Sequence, residues 1–285
     1  MLQSLKIIKR RIRSVENTKK ITKAMEMVSG AKLRKSESVF QSGKPYFLGL
    51  ESMLKTLLCG IDISGHQVLE ERTEKKMTGL CVVSSDTGLC SSYNDNIIKL
   101  AENFINKRAP DKVKIVTVGR KALGYFTKRG FPVFRSYTGL QGRLSESVTG
   151  EIADLLVQSF LSQEVDEVYI VYTQFISALK YKPTVEKFLN IERAAGTKEL
   201  EYILEPDRDG ILKELLPKYI RAKMRYILLN AFTAEHSARM MAMKLATDNA
   251  HDMINSLTLL RNKARQSSIT KEIIEVSSAA ELLKG

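Results

Sequence analysis

Cysteine and histidine are scarce in these 285 residues, with three of each. Cys59, Cys81 and Cys90 form no CxxC pair, and His66, His236 and His251 complete no zinc-type spacing with them. A disulfide framework and a structural metal are therefore not expected, and a reducing compartment is. No stretch approaches the roughly 18 uninterrupted apolar residues of a membrane span, and the first residues hold no apolar core of the signal-peptide type. None of the sixteen glycines forms a GxG pair and no GxxxxGK[ST] occurs. The usual dinucleotide fingerprint and the P-loop are both missing, and no cofactor is expected.

Positive charge is present in excess, and its placement is uneven. The net charge is +13, from 45 Lys and Arg against 32 Asp and Glu. Residues 1–35 hold eleven basic side chains against Glu16 and Glu26, and residues 208–285 hold thirteen against eight. The remaining middle is close to neutral, so the two ends carry the charge. An apolar share of 44% supplies a sizeable core and argues against global disorder.

The ends also lack helix breakers. Residues 218–284 contain neither Gly nor Pro and are rich in Ala, Leu, Met, Lys and Arg. One helix of that span would be about 100 Å long. A compact globule of this size has a radius of gyration of about 19 Å, so such a helix must protrude or pair. Ile227, Ala231, Ala234, Ala238, Met241 and Leu245 mark a coiled-coil seam, and Met253, Leu257, Leu260 and Ala264 a second one after a shift near residues 248–252. At the N-terminus Leu5, Ile8, Ile12 and Val15 mark one seam, and Ile21, Met25 and Val28 another after a change of phase near Thr18. Gly30, Gly43 and Pro45 weaken the pattern without ending it, since Pro45 can be absorbed as a kink.

Between the ends, short apolar runs at 80–83, 113–118, 132–135 and 167–173 alternate with helical patterns around 97–105, 121–128 and 145–161. Such alternation implies a mostly parallel sheet flanked by helices. The expected architecture is α/β plus coiled coil: an antiparallel coiled coil of residues 1–58 and 208–285, with a small Rossmann-like domain over 59–207.

Gly88, Leu89, Cys90, Ser91 and Ser92 follow a strand as a nucleophile elbow does, but the elbow's central Ser and final Gly are absent. A plain strand-to-helix turn is the simpler reading, and Cys90 is not expected to act as a nucleophile. His236 lies off the 227–245 seam, where a surface or partner contact suits it. The basic N-terminal helix could neutralise phosphates as a nucleic-acid arm. Basic-region readers, however, place their charge ahead of a separate zipper, whereas here charge and seam share the same turns and no aromatic precedes Phe40. The Arg-rich start mimics a transit peptide but runs without a break into the helical pattern, and is read as mature structure.

The segments ITKAMEMVSGAKLRK at 21–35, AEHSARMMAMKLATDNA at 234–250 and NKARQSSIT at 262–270 resemble the gamma subunit of rotary ATP synthase. GLCSSYN at 88–94, VGRKALGYF at 118–126 and YILEP at 202–206 resemble it too, in the family's order, so the likeness covers nearly the whole chain. The resemblance implies a non-catalytic rotor shaft, one copy inside a ring of three alpha and three beta subunits. It implies attachment to the c-ring and the epsilon subunit, peripheral to the membrane on its cytoplasmic face, and no nucleic-acid partner. Carried over residue by residue, it assigns Lys23, Met25, Arg239, Arg265, Gln266 and Thr270 to beta-subunit contact, and Tyr202 and Glu205 to the c-ring and epsilon foot. Met25 is equally explained as a seam residue. Thr87, Ser91 and Arg261 depart from the family's usual Arg, Gly and Tyr, and the chloroplast cysteine insert is missing after Thr197. Two other classes stay open: an enzyme on the α/β domain would bind nucleotide or substrate alone, and a nucleic-acid protein would show salt-dependent DNA affinity.

Overall fold

The structure is a computed structural model and describes residues 2–58, 66–70, 72, 76–191 and 207–282. The order is α1 (Leu2–Leu57), β1 (Thr78–Val83), α2 (Tyr93–Arg108), a single 3-10 turn (Pro110–Lys112), β2 (Val113–Val118), α3 (Arg120–Lys128), β3 (Val133–Tyr137), α4 (Glu146–Leu161), β4 (Glu167–Ser177), β5 (Lys180–Leu189) and α5 (Arg208–Leu282). The chain forms two compact units, one of residues 1–29 with 240–285 and one of residues 30–239. Pro45 and Pro217 lie inside the long helices without ending them.

In the first unit the two terminal helices pair antiparallel. The Thr247 hydroxyl donates to the Thr22 hydroxyl at 2.9 Å, and Lys19 Nζ lies 3.0 Å from His251 Nδ1, so earlier residues of α1 meet later residues of α5. The seam positions of α1 are Leu5, Ile8, Ile12, Val15, Lys19, Thr22, Glu26 and Ser29, spaced alternately three and four, with Met25 half-buried next to them. One seam therefore runs through without the expected phase change near Thr18. Where the apolar residues stop, small and polar ones continue it, and Ile21 and Val28 of the expected second seam are 61% and 57% exposed. On α5 the facing seam is Met243, Thr247, Ala250, Ile254, Leu257, Arg261, Ala264 and Ser268, again in fours and threes. Leu245, Met253 and Leu260 are exposed instead, so the phase shift falls between Ala238 and Met243 rather than at 248–252. From residue 269 to 281 every side chain of α5 is exposed.

The second unit carries the sheet, in the order β3-β2-β1-β4-β5. β1 pairs in parallel with β2 and β4, and β2 in parallel with β3. Central β1 is buried along its whole length, as a strand covered on both faces must be. β4 is longer than its apolar run predicts, and it turns through Ala178 and Leu179 into antiparallel β5, which the sequence reading missed. The segment from Lys180 to Leu189 carries three Lys and Pro183, and only its last two residues are buried. That is the composition of a protected edge strand, and it erases the apolar signal.

α1 packs its Leu33, Phe40, Phe47, Leu50, Leu54 and Leu57 into this unit. Phe47 stacks on Tyr226 at 4.4 Å between centroids, a pair worth about 0.5–1.5 kcal/mol beyond area burial. α5 is buried all round from 227 to 239, which explains why its Ala and Leu there show no clear polar face.

Candidate functional site

In the sheet order the chain leaves β1 towards β2 and β3 and returns on the opposite side at β4. The carboxyl ends of β1 and β4 thus flank the topological switch point, where open α/β sheets usually bind their ligands. In this protein α5 occupies that place. Tyr93 Oη donates to the Ala231 carbonyl at 2.9 Å, the Phe175 amide donates to Asn230 Oδ1 at 3.2 Å, and Ser237 Oγ donates to the Ala178 carbonyl at 2.5 Å.

The connection from β1 to α2 is locked in the same way. Leu89 and Ser91 take positive φ values of 62° and 52°, a conformation that costs a non-glycine residue energy and persists only when its surroundings fix it. Arg239 fixes it: Nη2 donates to the Thr87 carbonyl at 3.2 Å and hydroxyl at 3.0 Å, and Nε donates to the Gly88 carbonyl at 3.3 Å. Its charge is met one turn back by Glu235 Oε1 at 2.7 Å. Arg239 is 8% exposed and Glu235 1%, so this is a buried pair. Burial raises the Glu235 carboxyl above the ordinary carboxylate range, and Arg239 pulls it partly back.

Asp86 organises the adjoining loops. Its carboxylate accepts from the amides of Arg120 at 3.1 Å, Gly139 at 3.0 Å and Gln141 at 2.7 Å. Gly119 crosses so close to Ser84 that an added Cβ would lie 2.3 Å from the Ser84 carbonyl oxygen, and its φ is +96°. His236 is buried, contrary to the surface position expected for it, and its Nε2 lies 3.0 Å from the Gly142 carbonyl. The sequence could not reveal this because the loop that covers His236 comes from 94 residues upstream. Burial pushes the imidazole down to about 4, so the ring is neutral at pH 7 and Nε2 is the donor to Gly142.

Cys90 is buried, its Sγ accepting from Asn94 Nδ2 at 3.1 Å, and burial pushes its thiol up. Cys81 is pushed up to about 12 by complete burial. Neither has the lowered pKa of a reactive thiol. Among the described residues no group of three or more His, Cys, Asp or Glu is placed to hold a metal ion, and no helix is long and apolar enough to cross a membrane.

The residues carried over by resemblance separate into three sets. Arg265, Gln266 and Thr270 are exposed on α5, where Thr270 Oγ1 donates to the Gln266 carbonyl at 3.0 Å. Lys23 is exposed and paired with Glu26 at 3.0 Å, and Met25 is half-buried beside the seam. Arg239 is committed to its own loop. Its i, i+4 partner Glu235 and the left-handed turn at 87–91 absorb the charge that the sequence reading assigned to a partner. Tyr202 and Glu205 lie outside the described residues.

A second feature escaped the sequence reading. Ile21, Met27, Val28, Leu245, Met253 and Leu259 are large, apolar and exposed in the first unit, and Ile269, Ile273, Ile274 and Val276 follow along α5. An apolar surface of this extent on a folded chain marks an interaction face. The same unit holds fourteen Lys or Arg against seven Asp or Glu.

A ligand crevice filled by the chain's own helix in one unit, and a basic coiled coil with exposed apolar rows in the other, define a helical interaction subunit. The family is fixed by comparison with known proteins. The family model described as ATP synthase matches residues 4–283. The ATP synthase gamma chain of Pelotomaculum thermopropionicum is 39% identical over 286 residues, covering 99% of this chain and all of that one. The gamma chain of Geotalea uraniireducens is 40% identical, with both chains fully covered. The chain belongs to the ATP synthase gamma chain family. Among solved structures it is similar to a chain of the Tetrahymena thermophila mitochondrial ATP synthase central stalk and c-ring, with TM-score 0.62, 25% identity, and 79% of this chain and 99% of that one covered. A chain of the Euglena gracilis mitochondrial enzyme shares the fold at TM-score 0.67 and 16% identity, over 99% of this chain and 95% of that one.

Proposed function

We propose that this chain is the central shaft of a rotary ATP synthase and has no catalytic role of its own. It turns within a ring of three alpha and three beta subunits and couples proton flow through the membrane sector to ATP synthesis or hydrolysis at the beta sites. The observation that carries this reading is the exposed, basic and apolar surface of the paired helices in a chain of the gamma family. A continuous three-four seam makes a two-helix shaft stiff enough to transmit torque, and a shaft with unlike sides biases the three beta sites to different states.

In this reading Arg265, Gln266 and Thr270 meet the beta subunits from the exposed face of α5, and Lys23 and Met25 meet them from α1. Arg239 acts as a positioning residue, holding the 87–91 loop rather than touching beta. Positive charge on the shaft attracts acidic surfaces at long range without demanding a fixed fit, which suits a moving contact. Tyr202 and Glu205 serve the c-ring and the epsilon subunit, which places the chain at the cytoplasmic face of the cell membrane as a peripheral subunit. Filling of the sheet's switch point by α5 supports the absence of a nucleotide site on this chain.

The test is co-expression with alpha and beta subunits from one source. One copy should co-purify with the ring and raise ATP hydrolysis far above that of alpha and beta alone. In reconstituted complexes Gln266→Leu should lower coupled synthesis while the subunit keeps its helical circular dichroism. A chain that fails to co-purify, or a variant with undiminished synthesis, counts against the shaft reading or the Gln266 assignment respectively.

A further inference from the structure

We propose that the unit of residues 30–239 carries a binding pocket for a small amphiphilic anion, a molecule with an apolar body and a carboxylate or phosphate head. The cavity lies between α1, the loop that follows β3, and α5, and measures about 590 Å³, a size typical of small-molecule sites. Val39, Leu144, Leu229 and Phe232 supply its apolar lining. Lys32, Lys35 and Arg143 stand around it, and no carboxylate lines it. Among the described residues these three cationic side chains make no ion pair and no hydrogen bond, whereas Arg108, Arg221, Lys223 and Arg239 of the same unit are each met by a carboxylate.

The electrostatics of the wall point the same way. Glu235 lies behind Gly142, where Arg239 pairs with it directly and Lys32 acts on it only through space. Three unpaired cations around an apolar cavity leave a positive potential that a hydrated inorganic ion would meet only at the rim. An apolar tail gains by displacing water from the lining, while its head meets the cations. His236, another wall residue, commits Nε2 to Gly142 and leaves Nδ1 without a hydrogen-bond partner. The pocket is pre-formed on the loop side. Gly142 has φ +68°, and a Cβ there would lie 2.6 Å from the His236 ring, so the loop closes over the imidazole only with glycine. Concavity and unpaired charge together favour a small ligand over an extended acidic chain, which would need a groove open at both ends.

Octyl phosphate, kept below its micelle concentration, is the probe. Isothermal titration on the full chain should show one saturable site, and the ring signals of His236, one of only three histidines, should shift with the same midpoint. Octanol and inorganic phosphate, each lacking half of the ligand, should bind at least tenfold more weakly. Lys32→Gln with Arg143→Gln should weaken octyl phosphate at least tenfold and flatten its salt dependence. Leu144→Trp, which fills the cavity without changing charge, should abolish the His236 shift. No binding, equal binding of inorganic phosphate, or affinity unchanged by the charge variants overturns the proposal. Binding by the free chain that vanishes once alpha and beta are assembled around it overturns it as well, and assigns the pocket to an acidic segment of a partner. The titrations on the free chain and its variants do not depend on whether the chain acts as a shaft.

Discussion

Replacing Arg239 by alanine is the most informative perturbation of the buried network, because its cost must depend on pH in a stated direction. The substitution removes the donors to Thr87 and Gly88 and leaves the Glu235 carboxyl buried without its partner. Breaking a buried pair from one side typically costs about 3–5 kcal/mol. Glu235 is already raised in the folded chain, chiefly by burial, and the Arg239 charge is the strongest influence that lowers it. Without Arg239 the folded value rises further, while the unfolded value stays near 4.5. A carboxyl raised on folding contributes its full stability below the unfolded pKa and loses it as pH rises through the folded value. The penalty of the substitution is therefore smaller at the acid end of the range, where more of the variant's Glu235 is protonated, and it grows as pH rises. His236 moves the same way, since Arg239 is one of the influences holding it down to about 4. Urea unfolding of wild type and variant at several pH values between 5 and 7.5 measures the difference directly. Glu235→Gln with Arg239→Ala should recover part of the loss and remove most of its pH dependence. A penalty that is flat across this range, or one below about 1 kcal/mol at pH 7.5, would refute the view that Arg239 neutralises a buried charge.

Other consequences follow from the packing. Gly119→Ala places a Cβ 2.3 Å from the Ser84 carbonyl oxygen at φ +96°, and should destabilise the sheet unit by about 3 kcal/mol or more in denaturant titration. Cys81 and Cys90 should react with a disulfide reagent at neutral pH only as fast as the fold opens, and Arg239→Ala should accelerate Cys90 alone, because it frees the loop above that thiol. In the seam, Thr22→Val alone strands the Thr247 hydroxyl only in part, since that hydroxyl also reaches the Met243 carbonyl at 2.8 Å, so a loss of about 1 kcal/mol or less is expected by thermal unfolding. The double change Thr22→Val with Thr247→Val should be close to neutral or stabilising.

The existence and class of nearly every element followed from local pattern. Helix-forming residues without breakers determined α5 over most of its length, and apolar runs bounded by Ser, Asp and Gly determined β1 and β2, because period and punctuation are local properties. The uneven charge, the missing phosphate motifs and the segments shared with the gamma family also stood in the sequence alone. Seam phase did not. Lys19, Thr22, Glu26 and Ser29 face the partner helix while Ile21 and Val28 face outward, and a rule that puts apolar residues inside inverts the two. Which face of a helix is inner is fixed by the partner's small residues and hydroxyls, not by the helix's own apolar count. β5 was hidden for a related reason, since an edge strand gains its hydrogen bonds from β4 and needs no apolar alternation of its own. Arg239 and His236 read as surface groups because their partners, at 87–88 and 142, lie far away in sequence. Only tertiary structure could decide that α5 fills the sheet's ligand crevice, because that depends on which side of β1 the chain returns to at β4.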